Sequence, residues 1–159
     1  MAEKTAQTLD CDIEEIIPRV NIFILLLFNM SFGNKPLKHN LKEYDRVILV
    51  GPIWMGKFIS PLKSFVKRYR KSIKQLYFIT CCGSSDQKKD EKFGHNLVFK
   101  LVKEMLSEKC ISCEAFPIIL VVPEDKKNDD DAIMKTRLSD DNFTGEIKQR
   151  FDNFISNIK

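Results

Sequence analysis

Four aliphatic residues in succession, Val47 to Val50, interrupt the mixed polar pattern on either side of them. A run with no alternation suits a strand buried on both faces, as in a parallel sheet covered by helices. Gly51 and Pro52 end the run, Ser60 is a good N-cap, and Pro61 suits the first helical position, where its missing N–H costs nothing. A strand, a loop over residues 51–57 and a helix are therefore predicted in that order. The loop carries Trp54, the only tryptophan, at the carboxyl end of a strand, where open α/β sheets bind their ligands. Leu62, Phe65, Val66, Tyr69 and Ile73 recur at helical spacing over residues 61–73, with Lys63, Lys67, Arg68, Arg70 and Lys71 on the opposite surface.

Residues 75–80 read as the next strand and 86–90 as a charged loop, with Asp90 capping a helix over 91–109 whose buried stripe is Leu97, Leu101, Met105 and neighbours. A strand over 115–122 follows, with Pro117 near its start, a tolerable place for a residue that cannot donate to a ladder. Residues 126–141 form a polar, acidic connection. Phe143, Ile147, Phe151, Phe154, Ile155 and Ile158 then line one face of a closing helix. Strand and helix alternate from Tyr44 onward, the signature of an α/β fold. Ahead of Tyr44, residues 1–9 have helical spacing, and 11–17 alternate before Pro18 as a strand would. The apolar run over 20–28 admits two readings, a buried strand or a helix, which periodicity does not separate.

Composition narrows the class. With 159 residues, 43% of them hydrophobic, the chain is expected to form a single domain over residues 1–159 with a substantial core. Net charge is +4, from 26 basic and 22 acidic side chains spread along the chain, a balance that points to a solvated surface and away from a nucleic-acid partner. Five cysteines, an odd number with no signal peptide ahead of them, read as reduced thiols of a cytoplasmic protein. The most hydrophobic stretch, residues 22–28, is far shorter than the ~20 residues that span a bilayer, so no membrane segment is expected.

The order Tyr44-Asp45-Arg46-Val47-Ile48-Leu49-Val50-Gly51-Pro52-Ile53-Trp54-Met55-Gly56, continued by Ser60-Pro61 and Phe65, resembles the third strand and following loop of the flavodoxin-like FMN proteins, although Pro52 follows Gly51 without the usual spacer. Thr80-Cys81-Cys82-Gly83-Ser84, after the strand over 75–79, is similar to the other flavin-flanking loop of that family. The resemblance implies a flavodoxin-like open parallel sheet with helices on both faces. It also implies FMN held non-covalently for electron or hydride transfer, in an electron carrier or an FMN-dependent oxidoreductase served by a redox partner protein or reduced nicotinamide. Pro52, Ile53, Trp54, Met55, Gly56 and Lys57 would flank the flavin on one side and Thr80, Cys81, Cys82, Gly83 and Ser84 on the other. Trp54 would stack on the isoalloxazine, Gly56 would let backbone approach its N5 edge, and Lys57 could add positive charge beside a reduced flavin, although a solvated Lys is the simpler reading.

In the family's order, residues 1–9 correspond to the end of the first helix and 11–17 to the second strand, so a first strand and its phosphate loop are expected to be missing. The resemblance favours a helix over 20–28, in a connection ending in Gly33-Asn34-Lys35-Pro36. If 20–28 were instead a replacement first strand, residues 29–34 would faintly echo a phosphate loop. The alternative function is that of a truncated or degenerate flavodoxin fold that no longer binds flavin and serves as an interaction module, or of a fragment of a larger flavoprotein.

Other candidate chemistry is weaker. Cys81 and Cys82 are expected to pack at a strand end. The C-x-x-C pair Cys110 and Cys113 has no second pair and is predicted at a helix C-terminus, which argues against zinc and against thioredoxin-type activation. His39 and His95 lack triad or metal-site neighbours and read as surface residues, and Asp129, Asp130 and Asp131 lack calcium-loop spacing.

Overall fold

The computed structural model describes residues 1–21, 33–54, 56–83 and 94–159. In chain order its helices and strands are α1 (Ala2–Leu9), β1 (Arg46–Val50), β2 (Ile53–Trp54), β3 (Lys57–Phe58), α2 (Ser60–Tyr69), β4 (Gln75–Cys82), α3 (His95–Leu106), β5 (Cys110–Pro117), α4 (Asp130–Lys135) and α5 (Gly145–Ser156). β1, β4 and β5 form a parallel sheet in the order β1-β4-β5, and β2 and β3 form a small antiparallel hairpin after β1.

β4 explains the layering. Its side chains alternate across the sheet, and both sides are dry: Leu76 and Phe78 enter one core with Leu62, Phe65 and Val66 of α2 and Val98 and Val102 of α3. Tyr77 and Ile79 enter a second core with Phe116 of β5 and Ile147, Phe151, Phe154 and Ile155 of α5. Helices therefore cover both faces of an open parallel sheet, the expected α/β arrangement. Aromatic edges lock the layers, with Phe78 packed edge-on to Phe58 and Phe99 at 5.6 and 5.9 Å, and Tyr77 edge-on to Phe154 at 6.2 Å between ring centroids.

Several boundaries depart from the sequence reading. Ser60 is the first helical residue of α2 and not its cap, the cap being Ile59 in extended conformation, and α2 ends at Tyr69 although Ile73 is buried beyond it. α3 begins at His95 with Gly94 as cap, while Asp90 and Glu91 lie outside the described residues. Its core stripe is His95, Val98, Val102 and Leu106, one residue later than expected, which leaves Leu101 exposed. β5 starts at Cys110, not Ala115, and Pro117 closes it; a 3₁₀ turn occupies Ile118–Val121. The acidic connection contains α4, capped by Asp129, whose carboxylate accepts the N–H groups of Asp131 and Ala132 at 2.9 and 3.1 Å. α1 and the closing helix form as expected.

β5 carries one irregularity. Leu76 pairs with Cys110 and Tyr77 with Ser112, so Ile111 is an extra residue, a β-bulge, and its side chain is 47% exposed.

Residues 11–17 are not a strand. No neighbouring strand receives them among the described residues; the Ile17 carbonyl accepts the Lys35 N–H at 2.8 Å, and side chains hold the rest. The Glu14 carboxylate accepts the backbone N–H of Lys38 at 2.6 Å and of His39 at 3.1 Å, with the His39 ring nitrogen 2.9 Å away. The Tyr44 hydroxyl donates to Asp12 at 2.5 Å, and that bond, with the carboxylate charge, pushes the phenol up to about 12. An isolated antiparallel bridge joins Pro18 to Asn34, and the buried Asn34 amide donates to the Pro61 carbonyl at 2.8 Å. Residues 22–32, which hold most of the ambiguous apolar run, lie outside the described residues.

For Glu14 burial opposes ionisation, but the two N–H donors and His39 outweigh it and hold the carboxyl below its usual range. A depressed native pKa stabilises above the unfolded carboxylate range, and that contribution disappears as pH falls through the native value. Glu14→Gln is therefore expected to lower the urea midpoint at about pH 6, with the gap from the parent narrowing as pH falls through the lowered native value. Parallel midpoint-against-pH curves would disprove the clasp.

Candidate functional site at the carboxyl ends of β1 and β4

Parallel pairing of Val50 with Ile79 brings the carboxyl ends of β1 and β4 side by side, and the Gly51 N–H extends the ladder by donating to the Ile79 carbonyl at 3.1 Å. Here α2 closes on the strand end, because a Cβ at Gly51 would lie 2.5 Å from Cδ1 of Leu62. Glycine at this position thus leaves the space that the Leu62 side chain fills.

The stretch expected as an open loop after Gly51 is a hairpin. Ile53 pairs with Phe58 and Trp54 with Lys57, across a two-residue connection whose second member, Gly56, has φ +68°. Phe58 is buried against Phe78 and so roots the hairpin in the α2 and α3 core. Alternation along β2 then turns Trp54 outward, leaving it 42% exposed, beside the exposed Lys57 and Pro52. Met55 lies outside the described residues.

The second stretch differs from its expected form. β4 runs on through Cys82, so Thr80, Cys81 and Cys82 are strand residues, and the exposed Gly83 is the first residue beyond it; Ser84 lies outside the described residues. Thr80 is fully buried and Cys82 nearly so. Cys81 packs against the α5 core, where burial pushes its thiol up and keeps it protonated at neutral pH. The three side chains support the strand end, and the surface they leave is chiefly backbone and Gly83. β2 lies against β4, the central strand of the sheet.

His95 was missed, since it reads as a surface residue in the sequence. It is buried at the start of α3, its Nδ1 is 3.8 Å from the Cys82 Sγ, and its ring tilts against Phe99 at 5.3 Å. Its spacing to Val98, Val102 and Leu106 carried the signal, because those positions share one helical face. His39, by contrast, is exposed, as expected. Cys110 caps the 3₁₀ turn Ser107–Lys109 that follows α3, as expected of a helix end, and both Cys110 and Cys113 lie on β5. None of the five cysteines forms a disulfide.

A recess of about 320 Å³ lies between α1 and the segment after it, lined by residues including Glu3, Gln7, Asp10 and Cys11; none of its lining residues belongs to either candidate stretch. Among the described residues no group of three or more metal-ligating side chains occurs, and no helix is long and apolar enough to cross a membrane.

The left-handed backbone at position 56 predicts that Gly56→Ala costs about 1 kcal/mol, with Gly56→Asn costing less because Asn tolerates that conformation better. Urea unfolding of the two variants against the parent measures this, and an unchanged midpoint for the alanine variant would contradict the hairpin geometry.

A family model described as a flavodoxin domain matches residues 28–117, a span that runs through β1 to β5 and includes both stretches. No curated protein and no solved structure matches the chain.

Proposed function

The chain belongs to the flavodoxin domain family, and from that membership we propose that it holds FMN non-covalently at the carboxyl ends of β1 and β4 and takes part in electron or hydride transfer. The observation that carries the reading is the outward-facing Trp54 on a hairpin anchored by a buried Phe58, next to the end of β4.

These residues fit the ring of a flavin. Trp54 offers an aromatic face already turned to solvent on a short, paired strand, so little ordering cost attends stacking. Gly56 presents peptide groups without a Cβ in front of them, which suits hydrogen bonding to the polar edge of a heterocycle. Gly83 and the adjacent β4 backbone serve the opposite side, with Thr80 and Cys82 buried beneath as supports. Lys57, exposed and paired with Trp54, puts a cation where negative charge would build on a reduced ring. Bound FMN would supply the one- and two-electron chemistry, and the protein the position and electrostatics. A redox partner protein or a reduced nicotinamide is the proposed electron source.

Asn34 is not a candidate for the phosphate, because its amide is buried and already donates to Pro61, and residues 29–32 of the same segment lie outside the described residues.

The test is the visible spectrum of purified, folded protein before and after FMN addition and passage through a desalting column. Retained flavin absorbance with quenched fluorescence is expected. Trp54→Ala removes the stacking face and is expected to weaken binding about tenfold, read against a urea midpoint measured on the same variant. Protein that emerges colourless, with all FMN in the small-molecule fraction, would end the proposal. Equal affinity in the variant would remove Trp54 from the site.

A further inference from the structure

In a regular strand, residues three apart point to opposite faces, so the side chains of a C-x-x-C on β5 should be separated by the sheet. The bulge at Ile111 reverses this. One extra residue restores matching parity, and Cys110 and Cys113 both pack against the core formed under α2 and α3, with their sulfurs 3.5 Å apart. Both are half-buried, on the outer strand of the β1-β4-β5 sheet. The exposed Ile111 shows which residue has been turned out to bring them together.

We propose that Cys110 and Cys113 are an oxidisable dithiol, converted by a hydroperoxide to an intrachain disulfide. A disulfide bond is about 2.05 Å long, so the sulfurs must close by roughly 1.5 Å. The site lies at the amino-terminal end of β5, whereas the proposed flavin position lies at the carboxyl ends of β1 and β4, so the two readings stand independently.

The pair is also differentiated. With Cys113 as donor, the S–H to Cys110 sulfur contact lowers the Cys110 thiol pKa, burial opposes it, and the Lys103 ammonium assists. The same hydrogen bond raises Cys113, helped by burial, by charge on Cys110 and by Glu114, against the pull of Lys103. The neighbouring Lys109 ammonium is engaged by the carbonyls of Arg70 and Ile73 at 2.9 and 2.8 Å. With Cys113 as the donor in that contact, Cys110 is the attacking sulfur and Cys113 the resolving one; with the donor reversed the roles exchange and the same disulfide forms. The Cys110 thiolate attacks one peroxide oxygen, the O–O bond breaks, and the leaving oxygen departs as water or alcohol after taking a proton. Cys110 is then a sulfenic acid. Cys113 loses its proton and attacks the Cys110 sulfur, the S–O bond breaks, and water leaves. Two thiols have given two electrons to one peroxide.

The experiment treats the reduced full chain with equimolar hydrogen peroxide, alkylates the remaining thiols and maps peptides by mass. The expected product has lost two hydrogens within the peptide holding Cys110 and Cys113, with Cys11, Cys81 and Cys82 alkylated, and a thiol reductant reverses it. Cys113→Ser should stop at a Cys110 sulfenic acid captured by a dimedone-type probe, and Cys110→Ser should slow oxidation of the remaining thiol about tenfold. If both thiols are still alkylated after the others have oxidised, or if cross-links between chains through Cys11 take up the peroxide, the proposal fails. Mapping the parent decides the matter even if a serine variant folds poorly.

Discussion

β4 gives its backbone to β1 on one side and to β5 on the other, and its side chains to two separate apolar layers. Each element around it is placed by one of those four engagements. α2 and α3 are seated by Leu76 and Phe78, α5 by Tyr77 and Ile79, and the hairpin of β2 and β3 by the contact of Phe58 with Phe78. The site at the carboxyl ends of β1 and β4 inherits its geometry from this arrangement. Trp54 faces outward because Phe58, its diagonal neighbour on the hairpin, is fixed inward.

Elements whose burial is two-sided or strictly periodic were legible in the sequence. Val47 to Val50 and the β4 run needed only the absence of alternation, and α5 needed only the spacing of its phenylalanines. Legibility failed where two apolar patterns competed. α3 carries Leu97, Leu101 and Met105 beside Val98, Val102 and Leu106, and only packing under the sheet decides that the second stripe goes inward. At β5 the stronger apolar stretch after Pro117 drew the expected strand forward, yet an outer strand tolerates the polar Cys110 to Glu114 segment. For residues 11–17 alternation was real, but the ladder partner it requires is not there among the described residues, and Glu14 and Asp12 bind side-on instead.

The candidate site was half legible. Gly51, Trp54 and Gly56 could be read as turn and ligand residues, but the hairpin that orients Trp54 depends on a long-range contact between Phe58 and Phe78, which local pattern does not encode. The resemblance placed Cys81 and Cys82 in a loop after the strand, whereas pairing with β5 carries the strand through both. The pairing of Cys110 with Cys113 was hidden for a related reason. A one-residue shift in register is invisible in sequence, yet it decides which face a side chain occupies.

The order of the sheet also bears on how the chain reaches this state. Neither parallel pairing can start from a tight turn: β1 meets β4 only after residues 51–74 have been closed into a crossover, and β4 meets β5 only after 83–109. Loop-closure entropy must be spent before either ladder returns anything, so folding is slow relative to a helical bundle of similar length. Local structure available early is confined to the helices and the two-residue hairpin. Although only three positions apart in sequence, the Cys110 and Cys113 sulfurs are brought together by the register in which the last strand pairs with β4.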